Sequence, residues 1–129
     1  MTDAAVIGPV VITLPPDPSL SRVLRLAASG IAAMAGFTID ESEDIKIAVS
    51  EVLLALIERG DGNPIEVQFS VDGESFTVHG RSAIDDFDIE HPDLDLCRTV
   101  LAGVCAKHGV ELIDSQAQIW ATVEHASIT

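Results

Sequence analysis

The chain has 129 residues and a formal net charge of −14, with 47% hydrophobic and only 4% aromatic residues. Such a length makes one domain, able to bury roughly two-thirds of its unfolded surface in a core of Ala, Val, Leu and Ile without a metal or disulfide staple. The negative charge repels phosphate, which argues against nucleic acid or an anionic membrane as partner and for a basic protein surface.

Residues 10–14 are β-branched and nearly continuous, the composition of a first strand, and Pro15 and Pro16 stop it. Asp17 reads as a helix N-cap with Pro18 at the first helical position, where the missing N–H donor costs nothing. A helix is expected from Pro18 through about Ala35, with Leu20, Val23, Leu24, Ala27, Ile31 and Met34 as its apolar stripe. Its other faces carry Ala28, Ser29, Gly30, Ala32 and Ala33. These small residues would let a second backbone approach closely, although Ala-rich helix propensity explains them equally well.

A second helix is expected over residues 40–59, because Ile45, Ala48, Val49, Val52, Leu53, Leu56 and Ile57 recur with helical period on one broad face. Asp40 with Glu43 reads as a capping box, and Gly60 as a left-handed C-cap. Residues 61–64 make a turn. Residues 65–71 alternate apolar and polar as a half-buried strand does, Asp72-Gly73 signals a hairpin, and residues 76–79 return.

The acidic stretch over residues 85–95 reads as a solvated loop. A third helix follows over residues 96–108 with Gly109 as its C-cap, then an antiparallel strand pair over residues 110–114 and 118–124. Residues 1–9 and 126–129 are expected to fray. Cys97 and Cys105 would sit roughly 12 Å apart along the helix axis, beyond disulfide reach, as buried free thiols. His79, His91, His108 and His125 are scattered and make no metal site by spacing. No apolar run reaches membrane-spanning length, and the first five residues lack the basic region of a secretory signal, so a cytoplasmic chain is expected.

The run from Asp44 through Glu51 resembles the start of the N-box helix in anti-sigma factor serine kinases, members of the histidine-kinase-like ATPase superfamily. The order strand, helix, helix, hairpin fits that fold. The resemblance implies one α+β domain over residues 1–129, a two-layer sandwich with about three helices on one face of a mixed, mostly antiparallel five-stranded sheet. It implies Glu51 as catalytic general base. Four residues on, along the same helix face, the family has an Asn that ligates the magnesium ion of ATP; here that position is Ala55.

The family's Asp-x-Gly-x-Gly motif, whose Asp receives the adenine amino group, falls on Gly80, Ser82 and Ile84, and none of the three matches. Its Gly-Leu-Gly-Leu, whose amides hold phosphates at a helix N-terminus, reads Asp93-Leu94-Asp95-Leu96. Two carboxylates thus replace the glycines, and each would repel a phosphate. The expectation is a regulatory protein that acts by partner switching on a sigma factor, an anti-sigma factor antagonist or both, as a homodimer built on the first helix, with no cofactor and no metal. ATP and magnesium enter only under the alternative of an active serine kinase with divergent motifs. A non-catalytic dimeric adaptor that binds neither partner is the remaining reading.

Overall fold

In the computed structural model, residues 6–126 are described. Strand β1 (Val6–Leu14) leads through a single 3-10 turn at Pro18–Leu20 into helices α1 (Ser21–Met34) and α2 (Ile39–Glu58). The hairpin β2 (Ile65–Asp72) and β3 (Ser75–Ala83) comes next, then helix α3 (Asp93–Val104) and a second hairpin, β4 (Lys107–Ile113) and β5 (Gln116–Glu124). The sheet order is β1-β2-β3-β5-β4, and all four neighbouring pairs are antiparallel. The expected two-layer sandwich of three helices on five strands is therefore present, but its sheet is not mixed. The reason is topological: β3, α3 and β4 form a crossover unit whose two strands run the same way, and β5 lies hydrogen-bonded between them.

The core follows the two periodicities. On α2, Ile45, Ala48, Val49, Val52, Leu53 and Leu56 are buried, together with Ala55. On β2, Ile65, Val67, Phe69 and Val71 are buried while Glu66, Gln68 and Ser70 face the other way. Phe37, Phe69 and Phe76 make a chain of ring contacts, Phe37 and Phe76 edge-on with centroids 6.0 Å apart. α2 packs on β3 and β5 beneath it and on α1 and α3 at its sides, which makes it the central helix.

The element ends depart from the sequence reading in five places. β1 begins at Val6 and pairs Val6 with Asp72 and Ile7 with Val71, and Ala126 N–H is bonded to Glu41, so neither 6–9 nor Ala126 is frayed; residues 1–5 and 127–129, also expected to fray, lie outside the described residues. The N-cap of α2 is Thr38, whose hydroxyl accepts from Glu41 N–H while the Glu41 carboxylate accepts from Thr38 N–H, so the capping box sits two residues before Asp40 and Glu43. Glu43 pairs with Lys46 instead. Gly60 is not left-handed; a side chain there would meet Leu56 O at 2.5 Å. The left-handed cap belongs to α1, where Gly36 has φ +84° and the Phe37 and Gly36 amides donate to Ala32 O and Ala33 O, a full Schellman closure.

The fifth departure is the end of α3. It stops at Val104 with Cys105 as C-cap, and Lys107, His108 and Gly109 lie in β4, where Gly109 pairs with Trp120. A Cβ on Gly109 would meet the indole Nε1 at 2.5 Å, so glycine is there to admit the ring and not to cap a helix. Of the two thiols only Cys97 is fully buried; Cys105 is half-buried. Burial pushes both up to about 11, with nearby Glu51 adding to the effect at Cys97 and Asp44 at Cys105, so neither is a thiolate near neutral pH.

α1 carries a further correction. Ala28 and Ala32, expected on a face open to another chain, are fully buried in this chain's own core, whereas Val23 and Met34, expected in the core stripe, are 47% and 77% exposed. The helix is rotated so that Leu24, Ala28, Ile31 and Ala32 face inward. Its outward face is Arg22, Val23, Leu26, Gly30, Ala33 and Met34.

Glu41 does more than cap. Its carboxylate also accepts from Ala126 N–H at 2.7 Å and contacts His125 Nδ1 at 2.7 Å, while His125 N–H donates to Glu74 O. The chain's end is thereby tied to the start of α2. Burial opposes ionisation of Glu41, but the Thr38 and Ala126 amides, His125 and the Thr38 hydroxyl outweigh it and bring the pKa down to about 2. A depressed carboxylate contributes stability that is present above its unfolded value near 4.5 and is lost as pH falls toward 2. Thermal melts of Glu41→Gln and wild type should therefore differ most above pH 5 and converge as pH drops toward 2. A difference that does not change with pH would show that the carboxylate charge is not what holds the contact.

Candidate functional site

One end of α2, the first turn of α3 and the residue that closes α2 enclose a cleft of about 170 Å³, lined by Glu51, Leu54, Ala55, Glu58, Arg59, Asp93, Leu94, Leu96 and Cys97. Three residues singled out in the sequence meet here: Glu51, Ala55 and Asp93. Ala55 follows Glu51 by one helical turn and Glu58 follows it by two, which puts all three on the same side of α2. Burial raises the Glu51 pKa, and the Glu58 carboxylate raises it further. A carboxyl of this kind holds its proton more readily than one in water.

Arg59 answers that negative charge. Its Nη2 lies 3.2 Å from Asp93 Oδ2, and its Nη1 lies 2.9 Å from His91 Nε2. His91 Nδ1 accepts from Asp93 N–H at 3.1 Å. Arg59 thus straps the start of α3 to the end of α2 across the cleft. Its Nε is buried and has no hydrogen-bond partner among the described residues. Asp95 stands apart: its side chain is 75% exposed and 3.5 Å from Arg98, so its charge faces solvent and not the cleft.

The remaining sequence candidates lie elsewhere. Gly80 is mid-strand in β3, paired with Val67 and Ile119 and facing α2; a Cβ there would meet Val52 Cγ1 at 2.7 Å and Leu56 Cδ1 at 2.8 Å. Ser82 is buried and donates to Pro64 O at 3.0 Å, at the edge of a separate hollow that includes Asn63, Glu66 and Arg81. Ile84 is 2% exposed, a core residue at the start of the acidic loop. That loop is a series of turns: Asp61 accepts from Asp85 N–H, Asp86 takes φ +56°, and Asp88 accepts from Glu90 N–H. Sequence reasoning missed Glu58 and Arg59, and it read Cys97 as a buried thiol without placing it at the cleft. The seven-residue spacing of Glu51 and Glu58 was a usable signal, but nothing local links Arg59 with Asp93.

No family model matches the chain. Serine-protein kinase RsbW of Bacillus subtilis (strain 168) is 33% identical over 87 residues, which covers 64% of this chain and 54% of the relative. RsbW of Listeria monocytogenes serotype 4a is 32% identical over 85 residues, with 63% and 54% covered. Over that stretch the chain is similar in sequence to the RsbW serine-protein kinases. It spans about half the length of these curated relatives. The fold agrees with that of RsbW: a structure holding the RsbU and RsbW domains of a Mycobacterium tuberculosis protein superposes with a TM-score of 0.74 at 15% identity, over 95% of this chain and 34% of that one. The SiaB–SiaC complex from Pseudomonas aeruginosa matches with a TM-score of 0.68 at 11% identity, over 88% of each chain. No helix among the described residues is long and apolar enough to cross a membrane.

Proposed function

We propose that this chain is an anti-sigma-factor-like regulator that works by partner switching, binding a sigma factor or an anti-sigma factor antagonist without using ATP. The observation that carries the reading is Ala55. It places a buried methyl group, 7% exposed, in the cleft beside Glu51, where the kinases of the resembling family require an oxygen ligand for magnesium. The size of the cleft points the same way, since about 170 Å³ falls below the roughly 300 Å³ at which pockets for drug-sized ligands begin. The Arg59 to Asp93 bridge spans the cleft, and Asp93 brings to the first turn of α3 a carboxylate that would repel a phosphate there. The residues present therefore do not fit ATP with magnesium.

One observation favours the active-kinase reading: Glu51 is half-buried with a raised pKa, which suits a general base. A transfer assay separates the two. The chain, a candidate antagonist from the same organism and radiolabelled magnesium ATP should yield no labelled antagonist, while the unlabelled proteins co-elute on gel filtration. Labelled antagonist would establish the kinase.

We also infer that two copies associate through the outward face of α1. Leu26 and Met34 are 69% and 77% exposed there, beside the exposed small residues Gly30 and Ala33. Sedimentation should give a dimer at micromolar concentration. Leu26→Arg should weaken it at least tenfold without unfolding the chain, because Leu26 is not part of the core; a variant that sediments like wild type would remove this interface. Ala32→Arg is not a usable test, since Ala32 is fully buried.

A further inference from the structure

We propose that His91 turns the strap between α2 and α3 into a proton-operated latch, closed while the imidazole is neutral and released when it is protonated. This goes beyond the partner-binding reading and does not depend on it. His91 is partly buried just before α3, where its own N–H donates to Asp88 O and fixes the turn. Both of its ring nitrogens face N–H donors. Asp93 N–H donates to Nδ1 at 3.1 Å, and Arg59 Nη1 lies 2.9 Å from Nε2 and 3.4 Å from Nδ1. A neutral imidazole has one lone pair to offer to these donors, and an imidazolium has none.

Arg59 keeps its charge at every pH a folded chain meets, so the ring is the member of the pair that can change state. A proton removes the last acceptor and sets a second cation against the guanidinium. The repulsion acts across 2.9 Å, whereas the Asp93 carboxylate that attracts the same proton is 3.9 Å from Nδ1, and the Coulomb energy falls with distance. The imidazolium also competes with Arg59 for Asp93, which weakens the ion pair at 3.2 Å that is the other half of the strap.

The surrounding charges leave that balance in place. Glu58 on α2 and Asp88 and Glu90 in the loop are exposed, where water and salt screen them. Asp95 on α3 is paired with Arg98, which donates to Ile89 O, and Asp61 beyond α2 is taken up by Asp85 N–H. Among the described residues none of these carboxylates lies within ion-pair distance of the ring. The strap is therefore closed above the range in which histidine titrates and is lost as pH falls through it. Release frees the first turn of α3 from the end of α2 and opens the cleft, in which Leu94 and Cys97 are 1% and 3% exposed. Access to the Cys97 thiol reports the state of the latch.

The test uses the full chain with Cys105→Ala, which leaves Cys97 as its single thiol. Labelling by dithiodipyridine is timed at about pH 7.5 and about pH 5.5, on either side of the histidine range. Each rate is divided by that of the urea-unfolded chain at the same pH, which cancels the pH dependence of the reagent and of the thiol. The normalised rate should rise at least tenfold at the lower pH, with an unchanged far-ultraviolet circular dichroism spectrum. His91→Gln, whose amide oxygen accepts but takes no proton in this range, should stay slow at both pH values. His91→Lys, a fixed cation, should be fast at both. Equal normalised rates at the two pH values, a rise that survives in His91→Gln, slow labelling of His91→Lys, or a rise that comes with loss of helix signal overturns the proposal.

Discussion

Gly80→Asp, which would restore the adenine-binding carboxylate of the resembling family, is expected to unfold the protein or nearly so. Gly80 lies on the helix-facing side of β3, opposite Val52 and Leu56, which are 0% and 1% exposed. Even a methyl group there must displace Val52 Cγ1 at 2.7 Å and Leu56 Cδ1 at 2.8 Å, an overpacking cost of about 1–3 kcal/mol. A carboxylate adds a buried charge with no cation in contact, about 3–5 kcal/mol more. The sum approaches the whole stability of a small domain, roughly 5–15 kcal/mol. Urea unfolding should place Gly80→Ala between wild type and Gly80→Asp. A Gly80→Asp variant as stable as wild type would mean that the strand can shift to open a pocket under α2.

Leu53→Ala is the second large effect. Leu53 is fully buried on the helix that touches both neighbouring helices and the two central strands, so its loss leaves a cavity that no single neighbour can fill. The expected cost is about 3–5 kcal/mol. For a domain of this size that corresponds to a drop of roughly 10–20 °C in melting temperature. Leu26→Ala, at a position 69% exposed, should change stability by less than about 0.5 kcal/mol. If the two substitutions cost the same, α2 is not the organiser of the core.

The order of elements and the core face of α2 were legible because local periodicity and tertiary burial agree there. The capping box was misplaced because the sequence offers two frames, Thr38 with Glu41 and Asp40 with Glu43. What favours the first is Glu41's contact with Ala126 and His125, more than eighty positions away. The end of α3 was misread for a similar reason. Ala106 N–H bonds to Thr122 O, and the β4 ladder then claims Lys107, His108 and Gly109, an outcome that depends on a strand not yet in view. α1 was rotated from its expected face because the stripe was drawn through the large Val23 and Met34, whereas the small Ala28 and Ala32 are the residues that pack inward beside Leu24 and Ile31.

The site divides along the same line. Glu51 and Ala55 share a helix face by their spacing, so their meeting could be read directly. Asp93 and Asp95 looked equivalent two residues apart, yet the helix turns one toward Arg59 and the other to solvent. Arg59 had no motif to mark it, although it supplies the cation that makes the cleft electrostatically tolerable.

Titration calorimetry of the unmodified chain with magnesium ATP, alongside Ala55→Asn, tests directly whether the cleft takes the nucleotide. The expected result is no saturable heat for either protein, corresponding to a Kd weaker than about 1 mM, because the Asn side chain narrows the cleft further and leaves the Arg59 to Asp93 bridge in place. A Kd in the low micromolar range for the unmodified chain would contradict the account and make the kinase reading the better one.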